Sequence, residues 1–228
     1  MKYKAVIFDL YGTLVHNFPY AESNDVLKQM ALELTVSPED FMSMWHDGFE
    51  KRMTGIFRNY QDCVGYICQQ LGAPVRDDKV ELAASIRFEM NGREVRKPRD
   101  GAIEVLEYLK SYGYKIGLIS DCSMETTMVW KDSPLSPLID QPVFSCLVGV
   151  KKPDPQIYQI AVDRLSVSPE ECMYVADGMG QELSGAAEFG MYAVQILVPG
   201  EDDYDPYRAE WNGPVISSLK EVIALVND

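Results

Sequence analysis

Four short segments of the 228-residue chain carry side chains able to do covalent chemistry: Asp9-Leu10-Tyr11-Gly12-Thr13, Ser120-Asp121, Lys151-Lys152-Pro153-Asp154-Pro155 and Asp177-Gly178-Met179-Gly180-Gln181-Glu182. They offer a carboxylate, a hydroxyl, an ammonium and an acidic pair. That set suits transfer of a phosphoryl or acyl-type group through a covalent intermediate on aspartate. Asp9 fits the nucleophile, because attack followed by hydrolysis divides one hard step into two easier ones. Gly12 lets the backbone come close to a substrate. Ser120 can donate a hydrogen bond to a substrate oxygen, and Lys152 can neutralise charge on nucleophile and phosphate. Asp9, Asp177 and Glu182 are hard oxygen donors that suit Mg2+. A metal would also answer an electrostatic problem, since a bare carboxylate repels an anionic phosphate.

Each segment also has a plain structural reading. Asp9 could be a helix N-cap after a strand, Ser120 a loop hydroxyl, Lys151 and Lys152 a solvated pair, and Asp177 and Glu182 caps of the following helix. For Lys151 the solvated reading is the better one. His16 and His46 are the only histidines, so a histidine-based metal site or triad is not expected. Cys122 and Ser123 have no histidine neighbour in sequence to activate either as a nucleophile.

The elements that must position these residues follow from the apolar pattern. Strand-like runs occur at 4–8, 115–119, 172–175 and 192–198, and helix-like stretches at 101–112, 155–165, 182–189 and 218–226. Alternating strands and helices predict a parallel sheet covered on both faces, an α/β fold. In such sheets ligands bind outside the carboxyl ends of the strands, which is where the four segments fall. From Val15 to about Lys97 the pattern becomes continuously helical. Leu27, Met30, Ala31 and Leu34 recur at i, i+3, i+4 and i+7, and Ser37-Pro38-Glu39-Asp40 predicts a helix start. Further stripes are expected from Phe41, Met44, Trp45 and Phe49, from Cys63, Val64, Ile67 and Leu71, and from Leu82, Ile86 and Met90. The expected organisation is a discontinuous core, residues 1–15 and 95–228, with a small all-helical cap domain over residues 16–94.

Composition narrows the function classes. With 46% hydrophobic and 25% charged residues the chain is ordinary globular material. A net charge of −14 opposes binding to a polyanionic backbone unless a basic stripe exists, and the densest basic cluster, Arg93, Arg96, Lys97 and Arg99, is interrupted by Glu94 and Pro98. No nucleic-acid or membrane partner is expected; a small-molecule substrate is, bound by a monomer or homodimer. No signal-type leader or membrane-length apolar run is read, so a cytoplasmic protein is expected. Five cysteines without metal-type spacing are expected to be reduced and buried. The acidic stretch 201–205 is expected to be a solvated loop.

In the order of the four segments and the helical insert after the first, the chain resembles the haloacid dehalogenase superfamily over essentially its whole length. The resemblance implies a Rossmann-like core, a shielding cap, and Mg2+ in the phosphatase branch. It makes Asp9 the nucleophile, Ser120 the second-motif hydroxyl, Lys152 the third-motif lysine, and Asp177 and Glu182 the metal acids. The Tyr11 backbone carbonyl joins the metal ligands, and Gly12, Thr13, Asp121 and His46 are candidate substrate contacts.

Position 11 is where two branches divide. The resemblance implies a second aspartate two residues after the nucleophile in phosphatases, acting as general acid and then base; here Tyr11 stands there. A phenol with a pKa near ~10 is a poor base at neutral pH, and such acid-base help is worth roughly 10²–10⁴ in rate. The D-x-Y-G-T-L spelling is similar to the 2-haloacid dehalogenases, where halide leaves without a proton. Those enzymes carry a cap arginine after a tryptophan, whereas His46 follows Trp45 here, with Arg52 or Arg58 as possible substitutes. Their fourth motif is of a Ser-Ser-Asn type, whereas this chain has Asp177. The leading expectation is a Mg2+-dependent hydrolase of a small phosphate ester. The alternatives are a 2-haloacid dehalogenase with an ester intermediate on Asp9, and a catalytically weak ligand- or partner-binding protein of the same fold.

Overall fold

The computed structural model describes residues 2–200 and 208–227. The acidic stretch 201–205 lies outside the described residues. A six-stranded parallel sheet organises the chain. Its centre is β1 (Ala5–Phe8), flanked by β2 (Lys115–Ser120) and β4 (Cys172–Ala176). The edge strand β3 (Gln141–Phe144) lies beyond β2, and β5 (Tyr192–Ile196) and β6 (Val215–Ile216) lie beyond β4, giving the order 3-2-1-4-5-6. The expected α/β class is therefore observed, with β3 and β6 added. Neither short strand announces itself in sequence: β3 contains Pro142, and β6 is two residues long.

Strand β1 is buried on both faces, as parallel strands with helices on each side must be. Side-chain alternation divides it. Val6 and Phe8 pack with Ile116, Leu118, Met173 and Val175 and with Val105, Leu106 and Leu109 of α6 (Ala102–Ser111). Ala5 and Ile7 face Ile119, Tyr174 and the α9 residues Ile157, Tyr158 and Ala161 (Pro155–Leu165). Phe8 is in register with Leu118 on one side and Val175 on the other. The chain therefore leaves three adjacent strands at one level, delivering Asp9, Ser120 and Asp177 to the same edge.

Five helices lie between β1 and α6: α1 (Tyr20–Leu34), α2 (Pro38–Asp47), α3 (Phe49–Met53), α4 (Tyr60–Gln70) and α5 (Asp77–Val95). They bury an apolar cluster of their own, including Leu27, Met30, Phe41, Trp45, Val64, Ile67, Ala83 and Met90. Ser37 caps α2 by accepting from the Asp40 amide at 3.3 Å, with Pro38 in the first turn. Two expected stripe residues face outward instead. Phe49 is 50% exposed because Gly48 ends α2 and α3 restarts with a new phase, and Leu82 is 46% exposed because α5 turns Val80, Ala83 and Ala84 inward. All five cysteines are buried and free. No helix among the described residues is long and apolar enough to cross a membrane.

Candidate active site

Asp9 follows β1 directly, and its amide donates to the Val175 carbonyl at 3.0 Å. Its carboxylate is 5% exposed. Oδ1 accepts from Lys152 Nζ at 2.6 Å and Oδ2 from the Thr13 hydroxyl at 3.3 Å. Burial pushes this carboxyl up to about 7, against the pull of the Lys152 ammonium and with the push of Glu182.

Lys152 reaches Asp9 from the turn before α9. Its backbone amide donates to Asp121 Oδ1 at 3.1 Å, while Asp154 caps α9 by accepting from the Gln156 amide at 2.9 Å. Asp121 thus shapes the lysine turn, and burial raises its carboxyl against the attraction of Lys152. Lys152 is 6% exposed and also bonds Glu182 Oε2. Burial disfavours its charge, but the attraction of Asp9 and Glu182 outweighs this and holds the ammonium well above its usual value. Lys151 instead turns outward to Glu50 of α3, at 3.4 Å.

Glu182 opens α10 (Glu182–Glu188) and is fully occupied. Besides Lys152, Oε2 accepts from the Tyr174 phenol at 2.8 Å, and Oε1 accepts from the amides of Gly178 and Met179 at 3.1 Å each. Asp177 is held otherwise. Its Oδ2 accepts from Asn17 at 2.9 Å, its Oδ1 from the Met179 amide at 3.2 Å, and its carbonyl from Gln195 at 3.0 Å. Burial, then repulsion from Glu182 and Asp9, raises the Asp177 carboxyl well above its usual value, with Asn17 opposing. Gly12 is obligatory here: with φ +80°, a Cβ at this position would lie 2.2 Å from Asp177 Oδ2.

One oxygen from each of Asp9, Asp177 and Glu182 can lie within 4.8 Å of the others. Lys152 is the one ammonium bonded to this group among the described residues, so three carboxylates face a single positive charge. That surplus of buried hard oxygen fits a divalent cation such as Mg2+. Each oxygen of Asp9 and of Asp177 accepts from one donor and keeps a lone pair for it, whereas each oxygen of Glu182 already accepts from two. No backbone amide among the described residues bonds the Tyr11 carbonyl. The Ser120 hydroxyl, 1% exposed, has no oxygen or nitrogen partner among the described residues.

The Tyr11 phenol points away from the carboxylates. It donates to Asn91 Oδ1 of α5 at 3.1 Å and shares a 2.9 Å bond with Thr126 of α7 (Met124–Val129). Burial pushes its ionisation far above the usual phenol range. His46 is not brought to the cluster. It sits exposed in the last turn of α2, while neighbouring Trp45 turns inward and is covered by Arg52, whose guanidinium lies 4.1 Å from the ring centre. Arg58 is likewise exposed. Asn17, Tyr174, Gln195, Asn91 and Thr126 were not singled out from sequence; as single polar residues within or beside apolar runs they carry no spacing signal.

Known proteins sharpen what this geometry is. A haloacid dehalogenase-like hydrolase family matches residues 3–190. A (S)-2-haloacid dehalogenase 4A of Burkholderia cepacia is 28% identical, covering 98% of this chain and 94% of its own length. A glyceraldehyde 3-phosphate phosphatase of Methanocaldococcus jannaschii is 24% identical, covering 99% of this chain and 97% of its own. Among solved structures, a HAD phosphatase from Thermococcus onnurineus shares the fold with a TM-score of 0.67 at 23% identity, over 98% of this chain and 97% of that one. Relatives of both chemistries thus span the chain, and the chain belongs to the haloacid dehalogenase-like hydrolases.

Proposed function

We propose that this hydrolase is a Mg2+-dependent phosphatase acting on a small phosphate ester. The observation that carries the reading is Asp177: a buried third carboxylate, held by Asn17 and the Met179 amide and bonded to no ammonium among the described residues. In a metal-free site it would repel both Asp9 and an incoming anion. Asp9, Asp177 and the Tyr11 carbonyl would hold the metal, with Glu182 adding charge from behind Lys152. Bound there, Mg2+ would neutralise phosphoryl oxygens and the carboxylates around them.

The chain's own groups do the rest. Asp9 attacks phosphorus through one carboxylate oxygen; the bond to the leaving alkoxide breaks, and an aspartyl phosphate forms. Water then attacks this intermediate, releasing inorganic phosphate and restoring the carboxylate. Lys152 favours the ionised form of Asp9 and holds it in place, and the Ser120 hydroxyl donates to a phosphoryl oxygen. Gly12 and Thr13 shape the loop beside the nucleophile. The leaving alkoxide takes its proton from water, because Tyr11 is committed to Asn91 and Thr126 and gives no acid at that position. Residues 16–94 serve as the cap and exclude bulk water when seated on the sheet edge.

A second reading, 2-haloacid dehalogenation through an ester on Asp9, is favoured by Tyr11 itself and by the dehalogenase relative. One experiment separates the two: phosphate release from p-nitrophenyl phosphate and chloride release from 2-chloropropionate, each with Mg2+ and with chelator. Chelator-sensitive phosphate release is expected. Chelator-insensitive chloride release without phosphatase activity would overturn the proposal in favour of the second reading.

A further inference from the structure

The chain passes from the sheet into α1–α5 through residues 16–19, a segment without regular structure, and comes back at Pro98. The two crossings are tied at one level. Val15 pairs with Pro98 in an antiparallel bridge, and the Arg99 amide donates to the Leu14 carbonyl at 2.8 Å. Beyond that tie, side chains fasten the outgoing segment. The Phe18 ring packs 4.8 Å from the Tyr11 ring, with the Arg87 guanidinium of α5 over Phe18 at 4.8 Å. Asn17 Nδ2 donates to Asp177 Oδ2 at 2.9 Å, joining residues 160 apart in sequence.

Gly12 makes the Asn17 bond possible. A Cβ there would lie 2.6 Å from Asn17 Nδ2 and 2.2 Å from Asp177 Oδ2, so a glycine is what lets amide and carboxylate meet at that point. Asp177 is buried and bonded to no ammonium among the described residues, so an N–H aimed at it favours its anion and fixes the direction of Oδ2. The Met179 amide fixes Oδ1. These two donors differ in what carries them. Met179 belongs to the same loop as Asp177 and moves with it. Asn17 belongs to the segment that leads into α1, so its hold on Asp177 depends on how α1–α5 sit.

We infer that Asn17 is a positioning residue that couples the seating of α1–α5 to the Mg2+ site, holding Asp177 for the cation while residues 16–19 are in place. The inference rests on the phosphatase reading, which puts Mg2+ on Asp9 and Asp177. Coupling of this kind is reciprocal. A linker that holds the Asp177 anion tightens Mg2+, and bound Mg2+, which needs that anion, steadies the linker in return. Lifting the five helices loosens the cation, and seating them over Asp9 secures it.

Two measurements on the full chain test the coupling, and neither needs turnover. A calorimetric Mg2+ titration compares the wild type with Asn17→Leu, which keeps the shape and loses the donor, and with Phe18→Leu, which disturbs the same segment where it packs on Tyr11. Asn17→Leu is expected to bind Mg2+ about ten- to a hundredfold more weakly, as loss of an outer partner of a metal ligand does, while Phe18→Leu stays near the wild type. Hydrogen exchange over residues 16–23 is then followed with and without Mg2+, at concentrations that saturate each protein. Mg2+ is expected to slow exchange there in the wild type and not in Asn17→Leu; a merely structural Asn17 would leave the Mg2+ effect in place. Unchanged Mg2+ affinity in a folded Asn17→Leu protein would overturn the inference and leave the phosphatase reading standing. Equal weakening by Phe18→Leu would do the same, because the packing of the segment, and not the Asn17 bond, would then govern the site. A wild type that binds no Mg2+ would instead sink the phosphatase reading, and the inference with it. If Asn17→Leu does not fold, the wild type alone decides: exchange over 16–23 that saturating Mg2+ leaves unmoved counts against the coupling.

Discussion

The two polar clusters on either side of Tyr11 are built on opposite plans. Around Lys152 each partner is named and close: Asp9, Glu182, Tyr174 and two loop amides form a bonded network in which the ammonium is surrounded. Around Arg87 and Arg52 the cations are stacked on aromatic rings, with no ion pair among the described residues. A bonded network stabilises the nucleophile before any ligand arrives. The difference is between a charge closed in by bonds at the strand ends and two charges held by ring stacking among α2, α3 and α5.

The sharpest way to break this contrast is to remove one cation from each side. Lys152→Met leaves Asp9 and Glu182 buried without their ammonium and is expected to cost about 3–5 kcal/mol, as loss of one partner from a buried pair does. Arg52→Met, which gives up stacking and one carbonyl bond, is expected to cost about 1–2 kcal/mol. Denaturant titrations of both variants check the order; equal losses would mean that the Lys152 network is no more committed than the arginine stack.

Tyr11 joins the two clusters, and Tyr11→Asp asks which side needs it. An alkoxide needs a proton in the transition state and a nitrophenolate hardly does, so a restored acid helps only the first. The variant is expected to raise hydrolysis of an alkyl phosphate relative to p-nitrophenyl phosphate by about tenfold or more, within the range of general acid catalysis. It also loses the bonds to Asn91 and Thr126, so fold retention is measured alongside. Proportional loss of both activities in a folded protein would show that the phenol itself is required.

The smallest expected effect is a pH dependence confined to the acidic side. Asp9 titrates near 7 in the folded protein and near ~3.9 in an unfolded chain. A raised folded pKa gives stability that is complete below pH ~3.9 and is lost as pH rises through about 7. Asp177 is shifted in the same direction. Without metal, the protein should therefore lose stability between about pH 4 and 7, and Mg2+ should raise Tm by more at pH 8 than at pH 5. Equal Mg2+ shifts at both values, in a thermal scan, would separate the metal from these carboxylates.

How much of this was legible follows from the same contrast. The residues at strand ends could be read, because a buried strand stopping at Asp9 or Asp177 and a Pro-flanked Lys152 are local patterns tied to one sheet edge. The arginine cluster could not. Arg87 and Glu125 lie far apart in sequence and are brought together by the packing of α5 against α7, which no period announces. His46 shows the same limit: its place after Trp45 suggested a substrate contact, but one residue along a helix turns the side chain by about 100°, and Trp45 took the inward place. The helical stripes were legible in α1, α2 and α4 and failed at Phe49, where Gly48 breaks the helix, and at Leu82, where α5 turns Val80, Ala83 and Ala84 inward.

The most direct measurement of the metal assignment is a calorimetric Mg2+ titration of the wild type and of Asp177→Asn at about pH 8, where the carboxylates are more fully ionised. Asp177 supplies a hard anionic oxygen that an amide cannot match, so the wild type should bind Mg2+ and the variant should bind at least about tenfold more weakly. Unchanged Mg2+ affinity in a folded Asp177→Asn protein would contradict the metal site, and with it the phosphatase mechanism.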